Sequence, residues 1–240
     1  MKKYKNPPIA RMLCTLNFKR SDLNAWKSVY IGSIYEGVKE IFPKSEDRTR
    51  VDHTFDIVKR EFSIKKEKET FFLDEVNHIS VSISENKLEF SQDTIYSGWE
   101  SNLPKIIKVL KDYLEISQQP VLGCINLRYI NKIFIPNSVV EESEYFNTYI
   151  NYKAIKKDCS RFEIRLSFQY KEGFLDILLL PVPSPEKREE SLFVLDLCYR
   201  VTNIKNNNIE QIKKQLDTAH TNIEDTFEKI LTEKAKALFQ

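Results

Sequence analysis

The chain has 240 residues, 41% hydrophobic and 30% charged, ample apolar content for a substantial core. Its 37 Lys and Arg against 35 Asp and Glu leave a formal net charge of +2, so no global field draws it to a polyanion. No apolar run approaches the roughly 20 residues that a membrane-spanning helix needs.

The opening residues are basic but lack the apolar segment of a secretory leader. Asn6-Pro7-Pro8 leads into a predicted strand over 9–18, with Ala10, Met12, Cys14, Leu16 and Phe18 on one face and Arg11, Thr15 and Asn17 on the other. Ser21 and Asp22 can cap a helix that ends at Pro43, its apolar stripe formed by Leu23, Trp26, Tyr30, Ile34, Val38 and Ile41. Short strands follow at 55–64 and 70–73 around a charged turn at 65–69, then at 79–83 and 88–90, as an antiparallel meander with one wet face. Ser97-Gly98-Trp99-Glu100 fits a capping box, with Asn102 before Pro104 an alternative start. The helix that follows carries Trp99, Leu103, Ile106, Leu110, Tyr113 and Leu114 as its stripe.

Residues 121–135, bounded by Pro120 and Pro136, form the longest apolar, β-branched run. Both faces are largely apolar, which predicts a central strand covered on both sides. Asn126, Arg128, Asn131 and Lys132 interrupt it, and a buried polar group needs a partner. A short helix over 141–152 is predicted next. A strand over 161–170 then turns Phe162, Ile164, Leu166, Phe168 and Tyr170 inward and Arg161, Glu163, Arg165, Ser167 and Gln169 outward. Strands at 174–180 and 192–199 flank a proline-rich loop at 181–190, and a long helical region over 209–239 ends the chain.

Strands in consecutive runs predict an α+β fold, an antiparallel sheet with packed helices. The order strand, helix, strands, helix occurs twice, over 1–118 and 119–240, which predicts two similar halves in a single compact unit with strand 9–18 equivalent to strand 121–135. Cys14, Cys124, Cys159 and Cys198 are far apart and lie in apolar runs. They read as free thiols of a reducing, cytoplasmic compartment.

Asn6-Pro7-Pro8-Ile9, the pentamer Leu127-Arg128-Tyr129-Ile130-Asn131, Leu195-Asp196, and His220 with Phe227, Leu231-Thr232-Glu233 and Phe239 together resemble an uncharacterised, sporadically distributed bacterial family of about this length. The resemblance spans the whole chain. It implies no activity; the scattered occurrence of the family implies mobile gene neighbourhoods and a setting in defence against phage or plasmids. The family tends to place an acid where this chain has Arg11, and a glycine where it has Asn126. If that acid normally pairs with the pentamer's arginine, the pairing cannot form here.

The five glycines are too scattered for a phosphate-binding loop, and no nucleophile elbow or His-Glu-x-x-His pair occurs. His53, His78 and His220 lie far apart, so no metal site and no cofactor are expected. Arg128 is the foremost candidate, an anion clamp with Asn126 and Lys132 on its own strand face or else an arginine held by carboxylate or backbone, with Asp196 the first partner and Glu163 the second. Arg165 belongs to a polar platform or a solvated sheet face. Pro7, Pro8, Tyr129 and Asn131 are assigned structural roles, and His220 reads as a core histidine of the last helix. The functional expectation is a non-catalytic binding or interaction module. Its partner would be a protein, whether a second copy or a neighbouring gene's product, with nucleic acid the other candidate. The alternative is a nucleotide- or nucleic-acid-processing enzyme using Arg128 and Asp196.

Overall fold

A computed structural model describes residues 4–19, 26–56, 61–118, 120–137, 139–151, 162–183, 190–202, 204 and 206–240, without the side chains of 50–56 and 61–68. The fold is α+β. Nine strands, β1 (Ile9–Lys19), β2 (Lys44–Asp56), β3 (Glu61–Asp74), β4 (Ile79–Ile83), β5 (Lys87–Asp93), β6 (Val121–Ile135), β7 (Ile164–Tyr170), β8 (Gly173–Val182) and β9 (Ser191–Val201), form one sheet in the order β2-β3-β4-β5-β1-β6-β9-β8-β7. Every pairing is antiparallel. The helices are α1 (Val29–Val38), α2 (Trp99–Ile116), α3 (Ile209–Ile230) and the short α4 (Glu233–Ala237). No helix among the described residues is long and apolar enough to cross a membrane.

The sheet and helices share one core because the strands alternate. Met12, Cys14 and Leu16 of β1, Leu127, Tyr129 and Ile133 of β6, and Leu195, Leu197 and Tyr199 of β9 are buried in the same cluster as Ile34 of α1, Ile106 and Leu110 of α2, and Ile212, Leu216 and Ile223 of α3. Burying each such side chain contributes about 1.5–3 kcal/mol. Tyr113 closes the α1–α2 junction, stacked on Phe18 at 4.6 Å between ring centres and donating its hydroxyl to the carbonyls of Ser84 and Glu85.

The opposite face of the sheet is open, which corrects the expectation that β6 is covered on both sides. Cys124, Asn126, Arg128 and Ile130 are half-buried there, and Lys132 and Phe134 are exposed. Apolar content on a strand face states that burial is favourable but not that a layer exists to supply it, and the helices all lie on the other side. The same limit explains Leu166 and Phe168. They alternate as inward residues should, yet β7 is the sheet edge, beyond the helices, and they are 36% and 48% exposed.

Four further expectations change. Residues 65–69 lie within β3 rather than in a turn, with Asp52 opposite Lys65 and Arg48 opposite Glu69 in the register; strands tolerate charge runs when the signs oppose across the ladder. Helix α2 starts after Gly98, which has φ 95°, and no side-chain cap forms. Ser97 is drawn instead into hydrogen bonds with Gln92 and Asn102. Of the helix expected over 141–152, the described residues keep a single 3-10 turn, Glu142–Glu144. The last helical region divides at Leu231, and Thr232 caps α4 by accepting from the Ala235 N–H. The proposed cap at Ser21 and Asp22, Arg161 and Cys159 lie outside the described residues. Cys14, Cys124 and Cys198 are free thiols.

Candidate ligand cavity

The residues proposed from sequence as binding groups all lie on the open face of the sheet. Arg128 reaches across to β9, and its Nε donates to Asp196 Oδ1 at 2.8 Å while Nη2 donates to Oδ2 at 2.5 Å. The guanidinium is 43% exposed and the carboxylate 9%. This hydrogen bonding holds the guanidinium above its ordinary pKa. Asp196 is therefore the partner of Arg128, and Glu163 is hydrogen-bonded to Arg165 instead. Arg128, Arg165 and Asp196 border one shallow depression with Asp176 and Arg200, whereas Asn126 and Lys132 lie outside it. Arg11 does not disturb Arg128, because it is paired with Asp93 at 2.8 Å and donates to Ser91 Oγ. The open face thus carries cations, but its described arginines are already matched by neighbouring carboxylates.

A different constellation forms on the helix side. Between Ala10 and Arg11 the β1–β6 register slips, so that Ile9 pairs with Asn131 and Arg11 with Ile130. Such a slip re-aims the chain. Upstream of it, the Pro8 carbonyl accepts from the Lys132 N–H and Asn6 N–H donates to the Phe239 carbonyl. Two consecutive prolines suit this path, since they restrict the backbone and have no N–H to satisfy. The segment crosses to α3, where Tyr4 donates its hydroxyl to Glu228 at 2.6 Å and packs edge-on against Phe227 and Phe239. Between this segment, β6 and α3 lies a cavity of about 330 Å³, within the range of small-molecule sites.

Its inner wall is a chain of hydrogen bonds. Helical spacing puts His220 and Glu224 on one face of α3, with His220 Nε2 3.2 Å from Glu224 Oε1. On the other side of the ring, His220 Nδ1 is hydrogen-bonded to the Tyr129 hydroxyl at 3.1 Å. The Tyr129 and Tyr96 hydroxyls are hydrogen-bonded to each other at 3.0 Å. Trp99 stacks on the imidazole at 4.6 Å and ties its Nε1 to Asp217. Tyr96 is held by the β5–α2 connection, which the buried Gln92 fastens through Ser97 and Asn102. Burial pushes Tyr129 well above the ordinary phenol pKa, its hydrogen bond with Tyr96 adding to the effect, and burial raises Tyr96 as well. Among the described residues no lysine or arginine lines the cavity to counter that. Both phenols therefore stay protonated and act as hydrogen-bonding groups rather than as bases.

Pro7, Pro8, Tyr129 and Asn131 all line this cavity. Asn131 does fasten strands, through Nδ2 to the Leu195 carbonyl at 3.0 Å, but it also faces the cavity. Tyr96 and Glu224 were not singled out from sequence, and His220 was read as core. The one available signal was the His220–Glu224 spacing of four on a helix. Among the described residues no group of three or more His, Cys, Asp or Glu is placed to hold a metal. No protein-family model and no curated protein sequence matches the chain.

Proposed function

We propose that this protein is a non-catalytic binding module whose small-molecule ligand occupies the cavity between β6, α3 and the N-terminal segment. The observation that carries the reading is the Tyr96–Tyr129–His220–Glu224 hydrogen-bonded chain lining a cavity of ligand size. Polar groups in a merely structural core are consumed by one another, whereas this chain ends at open space. The residues behind the family resemblance lend further support, because Pro7, Pro8, Tyr129, Asn131, His220 and Phe227 come from distant parts of the chain and border the same space.

Enzymatic use of Arg128 and Asp196 finds less support. Asp196 holds both carboxylate oxygens on the Arg128 guanidinium in a bidentate pair, which disfavours its use as a general base. The proposal also treats 1–118 and 119–240 as related halves. Outward from the centre of the sheet the order runs β1, β5, β4, β3, β2 on one side and β6, β9, β8, β7 on the other, which supports the equivalence of β1 and β6.

The test is native mass spectrometry of protein purified from its host, beside a Thr221→Trp variant. Thr221 is exposed at the rim of the cavity, so the indole fills the space without entering the core. A small-molecule adduct on wild type that the variant loses is expected. An adduct that survives the substitution places the ligand elsewhere and defeats the reading.

A further inference from the structure

We infer that the cavity is built for an organic cation, an amine with an apolar body whose N–H groups donate to the cavity wall. The inference rests on the reading of this cavity as the binding site and adds the chemical class of its ligand.

Asn131 carries the inference. It lines the cavity, is 2% exposed, and spends its Nδ2 on the carbonyls of Leu195 and Tyr129. Its carbonyl oxygen accepts no hydrogen bond among the described residues, which leaves an acceptor for a ligand.

Charge agrees with hydrogen bonding. The carboxylates of Glu224 and Asp225 border the cavity and, among the described residues, no lysine or arginine does. Glu228 is occupied, accepting from Tyr4 and lying 3.4 Å from Lys236. The walls are aromatic, and ring faces attract an ammonium group. A phosphate or carboxylate would meet like charge. An ammonium group finds the Asn131 carbonyl oxygen, a π surface and a carboxylate.

The experiment titrates the full chain with phenylbutylamine, phenylbutanol and phenylbutyrate, following the emission of Trp99, which is stacked on His220. The amine should saturate the signal at least about ten-fold more tightly than the alcohol, and the acid should not bind. Glu224→Gln should weaken the amine by roughly ten-fold and leave the alcohol unchanged. Should that variant fail to fold, Asp225→Asn at the exposed rim supplies the same comparison with a smaller loss. Binding of the acid as tightly as the amine overturns the inference, and so does an amine that does not bind. Alcohol or acid binding as tight as the amine's, abolished by Thr221→Trp, would leave the cavity as the site and reject only the cation. Silence of all three probes, together with a host-derived adduct that Thr221→Trp does not remove, would reject both.

Discussion

Replacing Arg128 by alanine removes the cation from an ion pair whose two members are unequally buried, and the inequality fixes what should follow. The carboxylate of Asp196 is 9% exposed and the guanidinium 43%. Breaking a fully buried pair costs about 3–5 kcal/mol, and an exposed pair is worth about 0–1 kcal/mol. Arg128→Ala leaves a carboxylate with little access to water, so it should cost about 2–3 kcal/mol, toward the buried limit. Asp196→Ala leaves a guanidinium that already reaches solvent and should cost only about 1 kcal/mol. The double variant should then be more stable than the sum of the two losses predicts, by about 1 kcal/mol or more. Urea unfolding of the four proteins measures all of these terms. In a chain of this size each kcal/mol moves the melting temperature by about 2–4 °C, so thermal melts provide a second reading. Equal costs for the two single variants, or additivity in the double, would refute the reasoning and leave Arg128 free for a ligand on the open face.

Gly173 opens β8 with the carbonyl oxygen of Arg200 only 1.9 Å from where a Cβ would stand. Because that neighbour is backbone, Gly173→Ala should destabilise the sheet by about 2–3 kcal/mol in a urea melt, and a change below about 0.5 kcal/mol would contradict the packing. Cys14 is fully buried, and desolvation pushes its thiol up from 9.0 to about 12. The unfolded chain therefore gives up this proton at a lower pH than the folded one, and stability falls as pH rises across that window. Cys14→Ala should flatten the decline between pH 9.0 and about 12 by up to about 1.4 kcal/mol per pH unit; an unchanged slope in pH-dependent melts would refute it. Alkylation of the native protein with iodoacetamide should spare Cys14 while reaching the half-buried Cys124 and Cys198 on the open face, with Cys198 slowed because burial raises its thiol to about 11.

Elements whose evidence is local were legible. Prolines on both sides and a long apolar, β-branched run marked β6 over the same residues that the sheet contains. Alternation marked β1 and β4, and the α2 stripe was visible at its helical period. Asp196 could be named as the partner of Arg128 because a cation on a strand needs an acid on a neighbouring one, and β9 offered it in an otherwise apolar stretch. What could not be read depends on which layer covers which face. The apolar second face of β6 suggested cover that no described helix provides, and Leu166 and Phe168 obey the pattern of a buried face although they are exposed at the sheet edge. The cavity was hidden for the same reason. Tyr4, Tyr96, Tyr129 and Glu224 come from four separate segments, and their convergence depends on the slip beside Ala10, the anchoring of Tyr96 by Gln92, and the position of α3 across the sheet. A single sequence carries none of those three facts.

The most direct test is a crystal structure of the protein as purified from its host, without added small molecules. The account predicts a bound organic molecule between Tyr129, Asn131 and α3, with a donor within hydrogen-bond distance of the Asn131 carbonyl oxygen. A cavity holding only solvent, with an organic ligand bound instead against Arg128 on the open face of the sheet, would contradict it.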